Sequence, residues 1–206
     1  MSTLRDRRRQ ATETEIEVAA IKLFESRGFE ATTCDDIAAA AEVSPRTFYR
    51  HGANKEEAAF RTARRFSAAL GDELAERAAR RRLRLADFEE VIAGILTESA
   101  TEDWLERMLT VRRLTSHDPA LRRIAQLHDA ECVERVVERV AQQDGADPEG
   151  LLHLQVTAAT ALTVFRAALD EWAASPPEEE RAASLVRIYR RASALLNDEV
   201  TRDARR

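Results

Sequence analysis

Between Arg9 and Arg27 the apolar residues Ile16, Ala19, Ala20, Leu23 and Phe24 recur at steps of three and four, which is the period of a helix with one buried face. This predicts a first helix closed by Gly28, whose backbone freedom suits a C-terminal stop. The same step runs longer near the end of the chain. Leu151, Leu154, Ala158, Leu162, Phe165, Leu169 and Trp172 draw one apolar line along a helix spanning about 149–174. Leu185, Ile188, Tyr189, Ala192, Leu195 and Leu196 draw another along about 178–200. No alternating run reads as a strand, so the pattern predicts an all-α chain.

Capping residues divide the rest. Thr32 and Thr33, with Asp35 and Asp36 three residues on, open a short helix through Ile37 to Ala41. Ser44 and Pro45 open a second one almost at once, Ser44 as the cap and Pro45 at the first helical position. Val43 and Phe48 are its inward residues, and Arg46, Thr47, Tyr49 and Arg50 face out. Two short helices so spaced predict a helix-turn-helix whose second member is shaped for the major groove. Arg46 and Thr47, at the front of that helix, are the expected contacts to base edges. Asn54 with Glu57 then starts a helix expected to run unbroken to Arg82, and Lys55 in its first turn opposes the macrodipole unless an anion is near. Further starts follow at Asp87, Thr101, Asp118-Pro119, Asp147-Pro148 and Ser175-Pro176-Pro177.

The run Leu23-Phe24-Glu25-Ser26-Arg27-Gly28-Phe29, then Thr32-Thr33, Ile37-Ala38, Val43-Ser44, Thr47-Phe48-Tyr49-Arg50-His51 and Lys55 resembles the N-terminal domain of TetR-family transcriptional regulators. The resemblance implies phosphate contacts at Thr33, Tyr49, His51 and Lys55, with Ser44, Pro45 and Arg50 in the same DNA-binding set. Three positions depart from the family pattern: Glu42 stands where glycine is common, Gly52 where an apolar residue is usual, and Ala58 where leucine is frequent. At a left-handed turn position a glutamate is strained by about 1–2 kcal/mol, whereas glycine is not. The stretches Asp118–Arg123 and Arg166–Trp172 also look like the C-terminal domains of actinobacterial members, some of which respond to acyl-CoA esters.

Charge sharpens this division. The chain of 206 residues carries a net charge of −5, yet residues 1–84 hold 17 Lys and Arg against 14 Asp and Glu, and residues 85–206 hold 15 against 23. A basic head ahead of an acidic body suits a DNA reader whose second domain faces away from the phosphates. Arg5, Arg7, Arg8 and Arg9 precede the first apolar residue of the helix and read either as a solvated tail or as an arm on DNA. Arg77 to Arg84 reads as a charged linker or a second DNA patch. The N-terminus has no apolar core of a signal peptide, and the longest apolar stretch, Leu151–Leu169, is interrupted by His153, Gln155 and Arg166, so a cytoplasmic protein with no membrane segment is expected.

Catalytic and metal signals are thin. Cys34 and Cys132 fit no redox or metal spacing, and His128 with Cys132 is a two-residue signal only, so neither a metal, a cofactor nor an enzyme is expected. A binding role remains for the second domain. Phe88, Ile92, Trp104, Met108, Leu127, Thr157, Thr160 and Phe165 are candidates to line a pocket for an apolar or amphipathic small molecule, although each also reads as ordinary core. Leu162, Leu169, Trp172, Leu185 and Leu195 are candidates for a homodimer interface, because the first of the two long helices is apolar nearly all round and needs burial on more than one side. The TetR resemblance implies the same pair of helices as the dimer contact.

Three segments follow: a helix-turn-helix domain over 1–53, a connecting helix over 54–84, and a helical ligand-binding and dimerisation domain over 85–206. The expected function is a DNA-binding transcriptional regulator of double-stranded DNA, a repressor released from a near-palindromic operator by its effector. An effector-independent regulator or activator, and a helical enzyme or carrier, are the alternatives.

Overall fold

The computed structural model describes residues 3–51, 54–99, 101–144, 147–175 and 181–203. Among these the chain forms α1 (Leu4–Arg27), α2 (Cys34–Ala40), α3 (Pro45–Arg50), α4 (Lys55–Ala58), α5 (Arg61–Ala78), α6 (Leu85–Gly94), a π-helical turn (Ile95–Ser99), α7 (Glu102–His117), α8 (Pro119–Asp144), α9 (Pro148–Ala174) and α10 (Arg181–Asp203), and no strand. The all-α expectation holds. Two compact units emerge, one of Met1–Arg64 with Thr110–His128, the other of Arg65–Leu109 with Asp129–Arg206. Helices α5, α7 and α8 each contribute residues to both units.

The first unit is small and relies on caps. Ile16, Ala20 and Phe24 of α1 gather Phe29, Ile37 of α2, Phe48 of α3, Phe60 and Leu121 of α8 into one buried cluster. Helix α1 begins earlier than its apolar face requires. Thr3 and Asp6 form a capping box, with the Asp6 amide donating to Thr3 Oγ1 at 3.2 Å and the Thr3 amide to Asp6 Oδ2 at 2.9 Å. Arg5, Arg7, Arg8 and Arg9 are therefore helical and exposed, in the first turns of α1 rather than in a tail or arm ahead of it.

A second correction concerns the expected helix from Asn54 to Arg82. It is broken at Ala59–Phe60, and α5 starts afresh at Arg61. The cause is Glu17, fully buried on α1: its carboxylate accepts the Thr62 amide at 2.5 Å and the Thr62 hydroxyl at 2.8 Å. A side-chain oxygen takes the donor that an unbroken helix would have given to a carbonyl.

The second unit is held by a larger apolar cluster. Phe66 stacks on Phe165 with centroids 4.9 Å apart, and Phe165 meets Tyr189 edge-on at 5.5 Å. Leu70, Leu74, Phe88, Ile92, Leu96, Leu105, Val136 and Leu185 surround them. At Gly71 of α5 a Cβ would lie 3.3 Å from Cγ of Arg139, so the glycine lets α5 pass close to α8. Helix α6 starts at Leu85 rather than at Asp87. Asp87 sits one turn in, accepting the Arg84 amide at 2.7 Å and a guanidinium nitrogen of Arg81 at 2.8 Å, and the Arg81 bond above all holds its carboxyl below the usual range. Arg77 pairs with Glu90 at 2.6 Å. The starts expected at Thr101, Asp118 and Asp147 are present as side-chain caps, accepting amides of Trp104, Ala120 and Gly150 at 3.2, 2.8 and 2.8 Å. Of the one expected at Ser175-Pro176-Pro177, Ser175 closes α9, its hydroxyl donating to the Glu171 carbonyl at 2.8 Å, while Pro176 and Pro177, like Gly52, lie outside the described residues.

Candidate nucleic-acid interface

Helix α2 has seven residues and α3 six, too few to be stable by propensity, so their ends do the work. Thr33 caps α2: its hydroxyl accepts the Asp36 amide at 3.1 Å and donates to Asp36 Oδ2 at 2.7 Å, which holds the Asp36 carboxyl below its ordinary value. The turn that follows is a Schellman motif, with the Val43 amide on the Ala38 carbonyl at 3.0 Å and the Glu42 amide on the Ala39 carbonyl at 3.1 Å. Glu42 occupies its left-handed position at φ 54°. Ser44 then caps α3 by accepting the Thr47 amide at 3.1 Å, while its own hydroxyl donates to Thr47 Oγ1 at 2.9 Å, and Pro45 holds the first helical position.

Phe48 is fully buried and fixes the roll of α3. Arg46 and Arg50 are thereby turned to solvent, and Tyr49 is 58% exposed. The Tyr49 phenol is held above its ordinary value by its neighbour Cys34 first, then by desolvation and the charge of Asp35, so it is a donor at neutral pH. His51 and Lys55 sit differently. The His51 side chain is 10% exposed, with Nδ1 3.6 Å from Glu13 Oε1, and its carbonyl accepts from Arg61 at 3.2 Å. Lys55 Nζ donates to the Phe29 carbonyl at 3.1 Å and lies 4.1 Å over the Phe29 ring. An exposed helix with two arginines and a tyrosine, rigidly backed, is what a major-groove reader requires.

The profile of bacterial regulatory proteins of the tetR family matches residues 16–59, and the profile of the MftR C-terminal domain matches residues 90–200, more than half of the chain. The chain belongs to the TetR family. It is 48% identical over 56 residues to the HTH-type transcriptional regulator TcmR of Streptomyces glaucescens, a match that takes in 27% of this chain and 25% of that protein's length. Among solved structures, a TetR-family regulator of Mesorhizobium loti is 17% identical, with 92% of this chain and 97% of that one covered and a TM-score of 0.49. Thermus thermophilus FadR, a TetR-family repressor solved with lauroyl-CoA, is 24% identical, with 87% and 92% covered and a TM-score of 0.42. TetR regulators bind DNA, are dimeric, and are not enzymes.

Beyond α3, this TetR chain spreads the remaining candidates unevenly. Phe88, Ile92 and Phe165 are buried in the second unit's cluster, with Trp104 and Met108 half-buried against it. Thr157 is buried but its hydroxyl donates to the His153 carbonyl at 2.8 Å, which explains it without a ligand, and Thr160 is half-buried. Leu127 is 63% exposed and belongs to the first unit, so it does not share the cluster. Of the five dimer candidates, Trp172 and Leu185 are consumed by the protomer's own core, Leu162 and Leu169 are half-buried, and Leu195 is exposed. Leu152 and Val156 of α9, which the three-and-four line passed over, are exposed apolar residues one turn apart. Helix α9 is long and apolar enough to cross a membrane by length and composition, yet Leu154, Ala158, Ala161, Phe165 and Trp172 along it are buried in the second unit. Sequence reading also missed Glu13, Glu17 and Arg61; Glu17 alone left a trace, an acid beside Ile16 on an otherwise apolar face.

Proposed function

We propose that this TetR regulator is a cytoplasmic repressor that sits as a homodimer on a near-palindromic operator and leaves it when an apolar or amphipathic small molecule binds the second unit. The outward set Arg46, Tyr49 and Arg50 on a helix anchored by buried Phe48 carries the DNA half of this reading. Arg46 and Thr47 contact base edges, and Thr33, Tyr49, His51 and Lys55 hold phosphates, with Ser44, Pro45 and Arg50 at the same surface. One Lys55 donor is committed to Phe29, which leaves two of the ammonium's three for a phosphate oxygen. The exposed arginines of the first turns of α1 add charge to the same polyanion contact.

The dimer forms through α9 and α10, with Leu152, Val156 and Leu195 adding the exposed apolar surface a twofold contact buries. For the effector, the aromatic group of Phe66, Trp104 and Phe165 supplies apolar walls, and Trp104 and Met108 at its margin are where a ligand would enter. Release demands unequal affinity: weakening DNA binding ten- to a hundredfold needs an effector preference of about 1.4–2.7 kcal/mol for the DNA-incompetent form.

Selection of the chain's binding site from random-sequence duplexes, followed by footprinting on the winners, tests the reading. The expected product is two half-sites with centres about 34–36 Å apart or a multiple of that, bound by one dimer. A pool that gains no common sequence would contradict it.

A further inference from the structure

Helix α1 turns two carboxylates inward, and they have different tasks. Glu17 serves the backbone of α5 at Thr62. Glu13, one turn earlier, faces side-chain nitrogens: its Oε1 lies 2.9 Å from Arg9 Nε, 3.6 Å from His51 Nδ1 and 3.9 Å from Arg61 Nη1. Partial burial pushes its carboxyl upward, but the Arg9 hydrogen bond and the charges of Arg61 and Arg9, with His51, hold it below the usual range. Glu13 is thus an anion. Nδ1 of His51 is buried and has no hydrogen-bond partner, while a tenth of the side chain stays accessible. Arg61 donates to the backbone carbonyl of the same residue at 3.2 Å, which holds the end of α3 beside Glu13.

We propose that Glu13 is a positioning residue for DNA binding: it faces the buried Nδ1 edge of His51, draws a proton to that nitrogen, and makes His51 a cation whose accessible edge meets a backbone phosphate. The inference rests on the reading of His51 as a phosphate contact. A neutral imidazole has one donor and one acceptor. With its proton toward the phosphate, the neutral ring would point a lone pair at the Glu13 carboxylate; with its proton toward Glu13, it would point one at the phosphate. Only the doubly protonated ring satisfies both anions. Arg9 and Arg61 share Glu13 and oppose charge on the ring, so the phosphate completes the cationic state and binding takes up a proton.

Simple charge counting gives the opposite sign, because removing an acid beside a polyanion site should tighten binding. That conflict makes the test sharp. With a duplex of about 30 base pairs selected from a random library, Glu13→Gln should weaken binding about 5- to 10-fold, and His51→Ala by a similar factor. The double variant should be no weaker than His51→Ala. Equal or tighter binding by Glu13→Gln would overturn the positioning role. A loss in Glu13→Gln with none in His51→Ala would overturn the role too, and no loss in His51→Ala removes the phosphate reading beneath it. Nitrogen-15 spectra of His51 in the wild-type complex need no variant to fold: both ring nitrogens protonated on DNA supports the proposal, and a neutral ring contradicts it.

Discussion

In the first unit α2 and α3 have seven and six residues, and they are held by Thr33, Ser44 and the Glu42 turn; in the second, α9 and α10 run 27 and 23 residues around stacked aromatics. Short helices cannot bury enough apolar surface to hold themselves, so polar bonds at their ends decide the geometry. Long helices bury a great deal, and there shape decides. A reader must place a few side chains accurately on a small scaffold, whereas the second unit needs bulk.

Phe165→Ala should break the second unit most severely. Its ring lies between Phe66 and Tyr189, and truncating a buried phenylalanine costs about 3–5 kcal/mol, read as a lowered urea midpoint. Hydrogen exchange should locate the loss in α6 and α9, and an exchange increase confined to α2 and α3 would contradict the comparison. Glu17→Ala comes next, at about 2–3 kcal/mol, because the buried Thr62 amide and hydroxyl both lose their acceptor. The counterpart of ordinary apolar filling, Glu17→Leu, should not restore stability; if it does, the carboxylate is mere volume. Glu42→Gly should stabilise. Relief of left-handed strain of about 1–2 kcal/mol, less about 0.5–1 kcal/mol for the freedom of an unfolded glycine, leaves a gain of about 0.5–1 kcal/mol in thermal or chemical melting.

Features written within four residues were legible beforehand. Thr33 with Asp36, Ser44 with Pro45 and Asp147 with Pro148 announce their helices because a cap and its amide are neighbours. The left-handed turn at Glu42 was foreshadowed by the glycine usual there. The break before α5 was not legible, since the acceptor for Thr62 lies 45 residues away on α1. Helical periodicity names an apolar line but not its partner. Trp172 and Leu185 therefore looked like interface and proved to be core, and Leu152 and Val156 lay on the outer face. The helical state of Arg5–Arg9 had a signal, Thr3 three residues before Asp6, hidden by the arginines around it.

The central claim is that α3 reads bases, and Arg46 tests it most directly. Binding of wild type and Arg46→Ala is measured on the selected duplex and on random-sequence duplex at one salt concentration. The account predicts a loss of about 1–3 kcal/mol on the selected site with relaxed preference at one base pair, and a much smaller loss on random DNA. Equal losses on both would mean that Arg46 only touches phosphate and that α3 is not the reading helix.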